Sequence, residues 1–216
     1  MPQPLDSTLN APIASPADHA IENLRKPISR IVSGLFLISI VFTVPAGFED
    51  GVHEAMEMFG YVLLIVAALG RVWCSVYIAG RKDKELCVLG PYSLCRNPLY
   101  LLSFVGVIGF FLAVQSLSMC ILGSLAFLLY YRGVIQSEER RLEQLFGDAF
   151  RQYRRDTPRF IPSFRAFESR DTLIASPRII ERSLSEVVWF LASIVLIECL
   201  ATAHSKGLLV AVVLPF

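Results

Sequence analysis

The sequence predicts an all-α integral membrane protein of about five transmembrane helices, with a further amphipathic helix lying along the cytoplasmic interface. Three observations predict this class. Hydrophobic residues make up 54% of the 216-residue chain, against roughly 45–50% in soluble domains, and the mean hydropathy is +0.55. The apolar residues are collected into runs of span-like length, separated by short polar or charged clusters. Charge is sorted by region rather than spread in one sign: the net charge is +1, so no general field attracts nucleic acid.

Residues 1–24, rich in Pro, Ser, Ala and Asp, lack apolar periodicity and read as a flexible tail. Arg25, Lys26 and Arg30 then precede an apolar run over residues 31–44. The long tail and the poor cleavage site at Pro45-Ala46-Gly47 make that run a retained first span rather than a signal peptide. Glu49, Asp50, Glu54 and Glu57 form an acidic stretch without Lys or Arg, and a second span follows over residues 58–79. Arg81, Lys82, Lys84 and Arg96 lead into a third span, residues 99–114. Only Gln115-Ser116 separates it from a fourth, residues 117–131, so the two form a tight helical hairpin. Residues 132–182 are charged and arginine-rich, and residues 184–203 form the fifth span. His204-Ser205-Lys206-Gly207 interrupts the pattern, and residues 208–214 are too few to cross again. Positive residues crowd the tail, the link after the second span and the segment after the fourth, which puts these three on the cytoplasmic side with the N-terminus. The organisation expected is a tail (1–24), a core (25–162) and a C-terminal extension carrying a further span (163–216).

The five cysteines, Cys74, Cys87, Cys95, Cys120 and Cys199, are scattered without a C-x-x-C pair and read as small apolar packing residues. His19, His53 and His204 lie away from the charged motifs, which argues against a histidine-dependent hydrolase or a zinc protease, and no metal-ligand cluster is visible. Arg71 stands mid-span in Leu69-Gly70-Arg71-Val72-Trp73, where a guanidinium is costly unless it faces a polar pocket or an acidic partner. Glu138-Glu139 opens a stretch in which Leu142, Leu145, Phe146, Ala149, Phe150 and Tyr153 recur at helical spacing, the pattern of an amphipathic interfacial helix. Taken alone, the acidic pair fits a helix-dipole role as well as a binding role, and Arg154, Arg155 and Arg159 fit contacts to anionic lipid. Pro98 is a good first residue for the third helix. Capping does not account for Gly90, Tyr92, Arg96 and Tyr100 together. Gly106 and Gly109 in the third span and Gly123 in the fourth fit close helix packing.

Gly90-Pro91-Tyr92, Arg96-Asn97-Pro98-Leu99-Tyr100, Glu138-Glu139 with Leu142, Phe146-Gly147, Tyr153 and Pro158-Arg159-Phe160-Ile161-Pro162 together resemble the isoprenylcysteine carboxyl methyltransferase family and its phospholipid methyltransferase relatives. Leu69-Gly70-Arg71-Val72-Trp73 resembles that family's upstream helix, so the likeness covers roughly residues 60–162. The extension and the compact N-terminal half further resemble small membrane proteins encoded with bacterial cobalt, zinc, cadmium and nickel efflux systems. The resemblance implies a bacterial inner-membrane protein that binds S-adenosylmethionine at the cytoplasmic ends of its helices and methylates a lipidic or membrane-embedded acceptor. Efflux-system proteins are then possible partners.

In that reading Arg71, Gly90, Tyr92, Arg96, Asn97, Pro98, Tyr100, Glu138 and Glu139 bind the cofactor, and Arg96, Glu138 and Glu139 also serve the reaction. The chemistry suits them. Glu138 and Glu139 match the ligand's sulfonium and ammonium, Arg96 matches its carboxylate, and Tyr92 and Tyr100 offer aromatic faces to the cation. Gly90 and Pro91 set a turn that lets the backbone approach. For an amine acceptor, one of the two acids is placed to act as base. The family's His in R-H-P is Asn97 here, which hydrogen-bonds but does not titrate. Two other readings stay open: an accessory protein that kept the fold without the chemistry, and a structural or transport bundle.

Overall fold

The computed structural model of the chain describes residues 43–46, 50–81, 84–169, 177–207 and 212–215. The tail and most of the first expected span, residues 31–42, lie outside the described residues. The helices are α1 (Asp50–Ile78), α2 (Pro91–Leu94), α3 (Pro98–Ala113), α4 (Leu117–Asp156) and α5 (Pro177–Ser205), with a 3-10 turn at Phe164–Ala166. Two four-residue strands, β1 (Thr43–Ala46) and β2 (Val212–Pro215), pair in parallel and set the segments flanking α1 and α5 side by side. They are a small β addition to a helical protein.

Among the described residues, three helical stretches are long and apolar enough to cross a bilayer: Gly51–Ile78, Leu117–Asp156 and Val187–His204. The shorter apolar helix α3 has 16 residues, about 24 Å of rise, near the lower limit for a hydrocarbon core of about 30 Å. Pro98 is its first residue, where a missing N–H costs nothing. Gln115, at φ +60°, makes the tight link to α4. The Ser116 side chain then caps α4 by accepting from the Met119 N–H.

The largest departure from expectation is in α4. No new helix begins at Glu138; α4 runs unbroken from Leu117 to a kink at Gly147 (φ +51°), beyond which a second helical stretch continues to Asp156. Glu138 and Glu139 therefore sit deep inside the first stretch. The helix dipole acts within the first turn, so it does not explain them.

The bundle closes where small residues let backbones meet. A Cβ on Gly60 would fall 2.6 Å from the Gly109 carbonyl oxygen, and one on Gly109 2.8 Å from that of Gly60, so α1 and α3 touch backbone to backbone. Phe111 covers Gly123 across the α3–α4 hairpin, and Phe190 of α5 covers Gly106. Leu64, Ala113 and Ile197 form a buried cluster with Phe190 and Ile194, so the extension helix packs as a wall of the bundle. At the end away from the motifs, the Tyr61 hydroxyl lies 3.0 Å from the Glu57 carboxylate and 2.8 Å from that of Glu198. Gln115 donates to the other Glu57 oxygen at 2.8 Å. This polar clasp ties α1, α5 and the hairpin link together.

Candidate functional site

At the opposite end, the chain between α1 and α3 folds into a turn that presents the G-P-Y and R-N-P motifs. Gly90, at φ +62°, begins it, and a Cβ there would lie 2.2 Å from the Tyr77 ring. Only glycine allows that approach. Gly90 thus packs the turn onto α1, and it is not among the residues that line the cavity described below.

The segment after α4 wraps this turn as a strap. The Arg96 N–H donates to the Pro158 carbonyl (2.9 Å), the Ser163 N–H to that of Leu94 (2.9 Å), and the Gly90 N–H to that of Glu168 (2.6 Å). Tyr77 and Ser169 share a hydroxyl hydrogen bond at 2.9 Å. Tyr153, near the end of α4, donates its hydroxyl to the Tyr92 carbonyl at 2.6 Å, while Phe150 is buried beside it. The ties to the core thus run past residue 162, through Ser169.

Between α1, the turn, α3 and α4 lies a cavity of about 490 Å³, within the range of about 300–1,000 Å³ usual for small-molecule sites. Seven of the nine residues expected at the site line it: Arg71, Tyr92, Arg96, Asn97, Pro98, Tyr100 and Glu138. Gly90 and Glu139 do not. Ser75, Cys87, Ser103 and Tyr131 also line it and carried no signal in the sequence; Leu142 and Tyr153 belong to the motif pattern but had no assigned role.

The neighbouring acids face different surroundings. Glu138 reaches the cavity wall, where the Tyr100 hydroxyl is 3.5 Å from its carboxylate. The Glu139 carboxylate is held behind the wall by Arg96 (3.5 Å), Arg159 (3.4 Å) and the Asn97 side-chain amide (3.1 Å). Arg96 also donates through Nη1 to the Arg154 carbonyl at 2.9 Å, so one guanidinium joins the turn to both halves of α4. Arg71 donates to the Leu99 carbonyl (3.4 Å) and to the Ser103 hydroxyl, which turns its head into the cavity rather than toward lipid.

Tyr92 lines the cavity and is 7% exposed, and its hydroxyl oxygen is itself buried, with no hydrogen-bond partner among the described residues. A buried orphan hydroxyl costs its desolvation unless a ligand meets it. Burial also raises its pKa, so it remains a proton donor. Beyond Tyr100, the ring of Tyr131 lies 5.3 Å away and stacks on Phe127 at 4.1 Å, and Phe127 meets Phe104 at 5.3 Å. An aromatic path thus leads from the polar cavity into the α3–α4 seam. Two positive groups (Arg71 and Arg96), two carboxylates (Glu138, and Glu85, which is paired with Arg81 at 3.7 Å), an orphan hydroxyl and tyrosine faces suit a zwitterionic ligand that carries an added cation.

A profile of the phospholipid methyltransferase family matches residues 56–149, the stretch that supplies every lining residue except Tyr153. The nickel-cobalt-cadmium resistance protein NccN of Alcaligenes xylosoxydans xylosoxydans is 35% identical over 202 residues, 93% of this chain and 94% of that protein. The chain belongs to one family with this resistance protein, and its residues 56–149 form a phospholipid methyltransferase-type region. The cobalt-zinc-cadmium resistance protein CzcN of Cupriavidus metallidurans is 32% identical over 212 residues, 96% of this chain and 98% of that one. Similarity to the protein-S-isoprenylcysteine O-methyltransferase of Schizosaccharomyces pombe is confined to 81 residues at 32% identity, 38% of this chain and 34% of the yeast protein. No solved structure matches the chain. In superfamily terms the cavity is built from the shared region, whereas α5, which seals the bundle, lies beyond it.

Proposed function

We propose that the chain is a membrane methyltransferase that binds S-adenosylmethionine in the cavity at the motif end and methylates an amphiphilic acceptor with a carboxylate, thiol or amine head. The single observation behind this reading is the convergence of Arg96, Tyr92, Tyr100 and Glu138 on one cavity, with the Tyr92 hydroxyl unpartnered. When bound, the cofactor would supply an electrophilic methyl group, whose carbon an acceptor lone pair attacks in line as the carbon–sulfur bond breaks and the neutral thioether leaves.

The residues divide the remaining work. Glu138 faces the ligand's positive charge. Arg96 and Tyr92 hold its carboxylate and polar edge, and Tyr100 and Tyr131 supply the ring faces. Glu139 positions Arg96 rather than touching ligand. The aromatic path between α3 and α4 excludes water and offers apolar surface to the acceptor's tail. For an amine acceptor Glu138 serves as base, since Glu85, the other carboxylate lining the cavity, is paired with Arg81. The motif end is cytoplasmic in this reading, with the N-terminus on the same side of the bacterial inner membrane.

Purified protein in nanodiscs should bind radiolabelled S-adenosylmethionine saturably, and Glu138→Gln and Arg96→Ala should each weaken binding about tenfold or more. Undiminished binding by both variants overturns the assignment. Label from the cofactor's methyl group, followed into lipid, small-molecule or protein fractions, identifies the acceptor class.

A second reading is that the chain serves a heavy-metal efflux system as an accessory protein without methyl transfer. It is favoured by the names of the two full-length relatives and by Asn97, whose amide is spent on Glu139 and the Arg159 carbonyl. Cofactor binding without label transfer, together with loss of metal tolerance on deletion, distinguishes it.

A further inference from the structure

We propose that the strap over residues 159–167 is seated in the bilayer leaflet at the motif end, with Ile161 and Phe164 inserted at the boundary of headgroups and acyl chains and Arg165 on an anionic lipid headgroup. Ile161 is 83% exposed and Phe164 76% exposed, yet the backbone carrying them is held in place. The Ser163 N–H, between the two, donates to the Leu94 carbonyl, and the Arg96 N–H fixes the strap's start at Pro158.

Those bonds also set its depth. Leu94 and Arg96 immediately precede Pro98, where the apolar helix α3 begins, and the turn lies just beyond Ile78, where α1 ends. The strap is therefore level with the edge of the hydrocarbon. Large apolar side chains at that level, rimmed by cations, match an interfacial anchor. The basic side chains around it are not equivalent. Arg159 is paired with Glu139 and Arg154 with Glu143. Arg165, in the same 3-10 turn as Phe164, is exposed with no partner among the described residues. A basic side chain beside an anionic surface favours it by about fivefold. Because the strap also carries Arg159, it links the leaflet to Glu139 and through it to Arg96. Seating thus steadies the motif turn from outside the protein.

The test uses the full chain with Phe164→Trp in a Trp73→Phe, Trp189→Phe background, reconstituted in phosphatidylcholine nanodiscs. Ile161→Trp in the same background repeats it at the second side chain. The expected result is blue-shifted emission that loses at least half its intensity when the acyl chains are brominated and resists acrylamide. Adding phosphatidylglycerol should deepen bromine quenching, and Arg165→Gln should abolish that dependence. Water-like emission that acrylamide quenches and bromine does not would overturn the proposal, as would blue-shifted emission insensitive to bromine, the signature of a protein partner or a second copy. Bromine quenching without headgroup dependence overturns the role of Arg165.

Discussion

The guanidinium of Arg96 lies 3.5 Å from the carboxylate of Glu139, with the two side chains only 10% and 14% exposed. The pair joins the R-N-P turn to the middle of α4. It accounts for the unequal situations of Glu138 and Glu139, adjacent in the chain but on different sides of the cavity wall.

Removing the positioning acid should cost stability and removing the wall acid should cost binding. Glu139→Ala leaves Arg96 with an uncompensated, mostly buried charge, a loss on the order of 3 kcal/mol, which thermal unfolding in detergent would register as a clear fall in midpoint. Glu138→Gln should leave that midpoint nearly unchanged while S-adenosylmethionine affinity falls about tenfold. The reverse pattern would exchange their roles.

Two tyrosines that differ only in their partners make a second pair of variants. The Tyr92 hydroxyl has no partner among the described residues, so Tyr92→Phe should hold or slightly raise stability and weaken ligand binding in an isothermal titration. Tyr153→Phe removes a buried 2.6 Å hydrogen bond to the Tyr92 carbonyl, and should lower stability by about 1–2 kcal/mol.

Gly90→Ala should be among the most damaging small substitutions. Its added Cβ meets the Tyr77 ring at 2.2 Å in a backbone at φ +62°, combining left-handed strain with overpacking, on the order of 2–4 kcal/mol together. Poor yield of folded protein in size-exclusion chromatography is the expected outcome. A parent-like yield would mean the turn does not need glycine.

Cys95 provides a pH test outside the spans. Burial pushes its thiol up to about 11 from 9.0, so the folded protein keeps the proton where the unfolded chain gives it up. The associated stability is complete below about pH 9 and is lost as pH rises toward 11. Iodoacetamide at pH 8 should leave Cys95 unmodified in the native protein and alkylate it after denaturation, as read by peptide mass spectrometry.

Much of the fold was legible because span-forming runs are a local property. Residues 58–79 and 99–114 needed only their own apolar content to be recognised; α3 (Pro98–Ala113) is offset by one residue, and α1 stops one residue short of 79 but starts at Asp50, taking in the acidic stretch before the span. The end of α4 was harder to read. The charged residues after Tyr131 look like the start of a new interfacial element, but nothing among them breaks a helix until Gly147, so the helix continues straight through.

The sequence by itself determined the membrane class, the hairpin at Gln115-Ser116 and the set of motif residues, since these follow from run length, breakers and residue chemistry. Only the tertiary structure decided which of two adjacent acids reaches the cavity, that Gly90 serves Tyr77, and that Arg96 is gripped from behind. Neighbouring residues on a helix point about 100° apart. Which direction faces the turn depends on how Phe150 and Tyr153 seat α4 against residues some sixty positions away, a long-range packing outcome that no local pattern encodes.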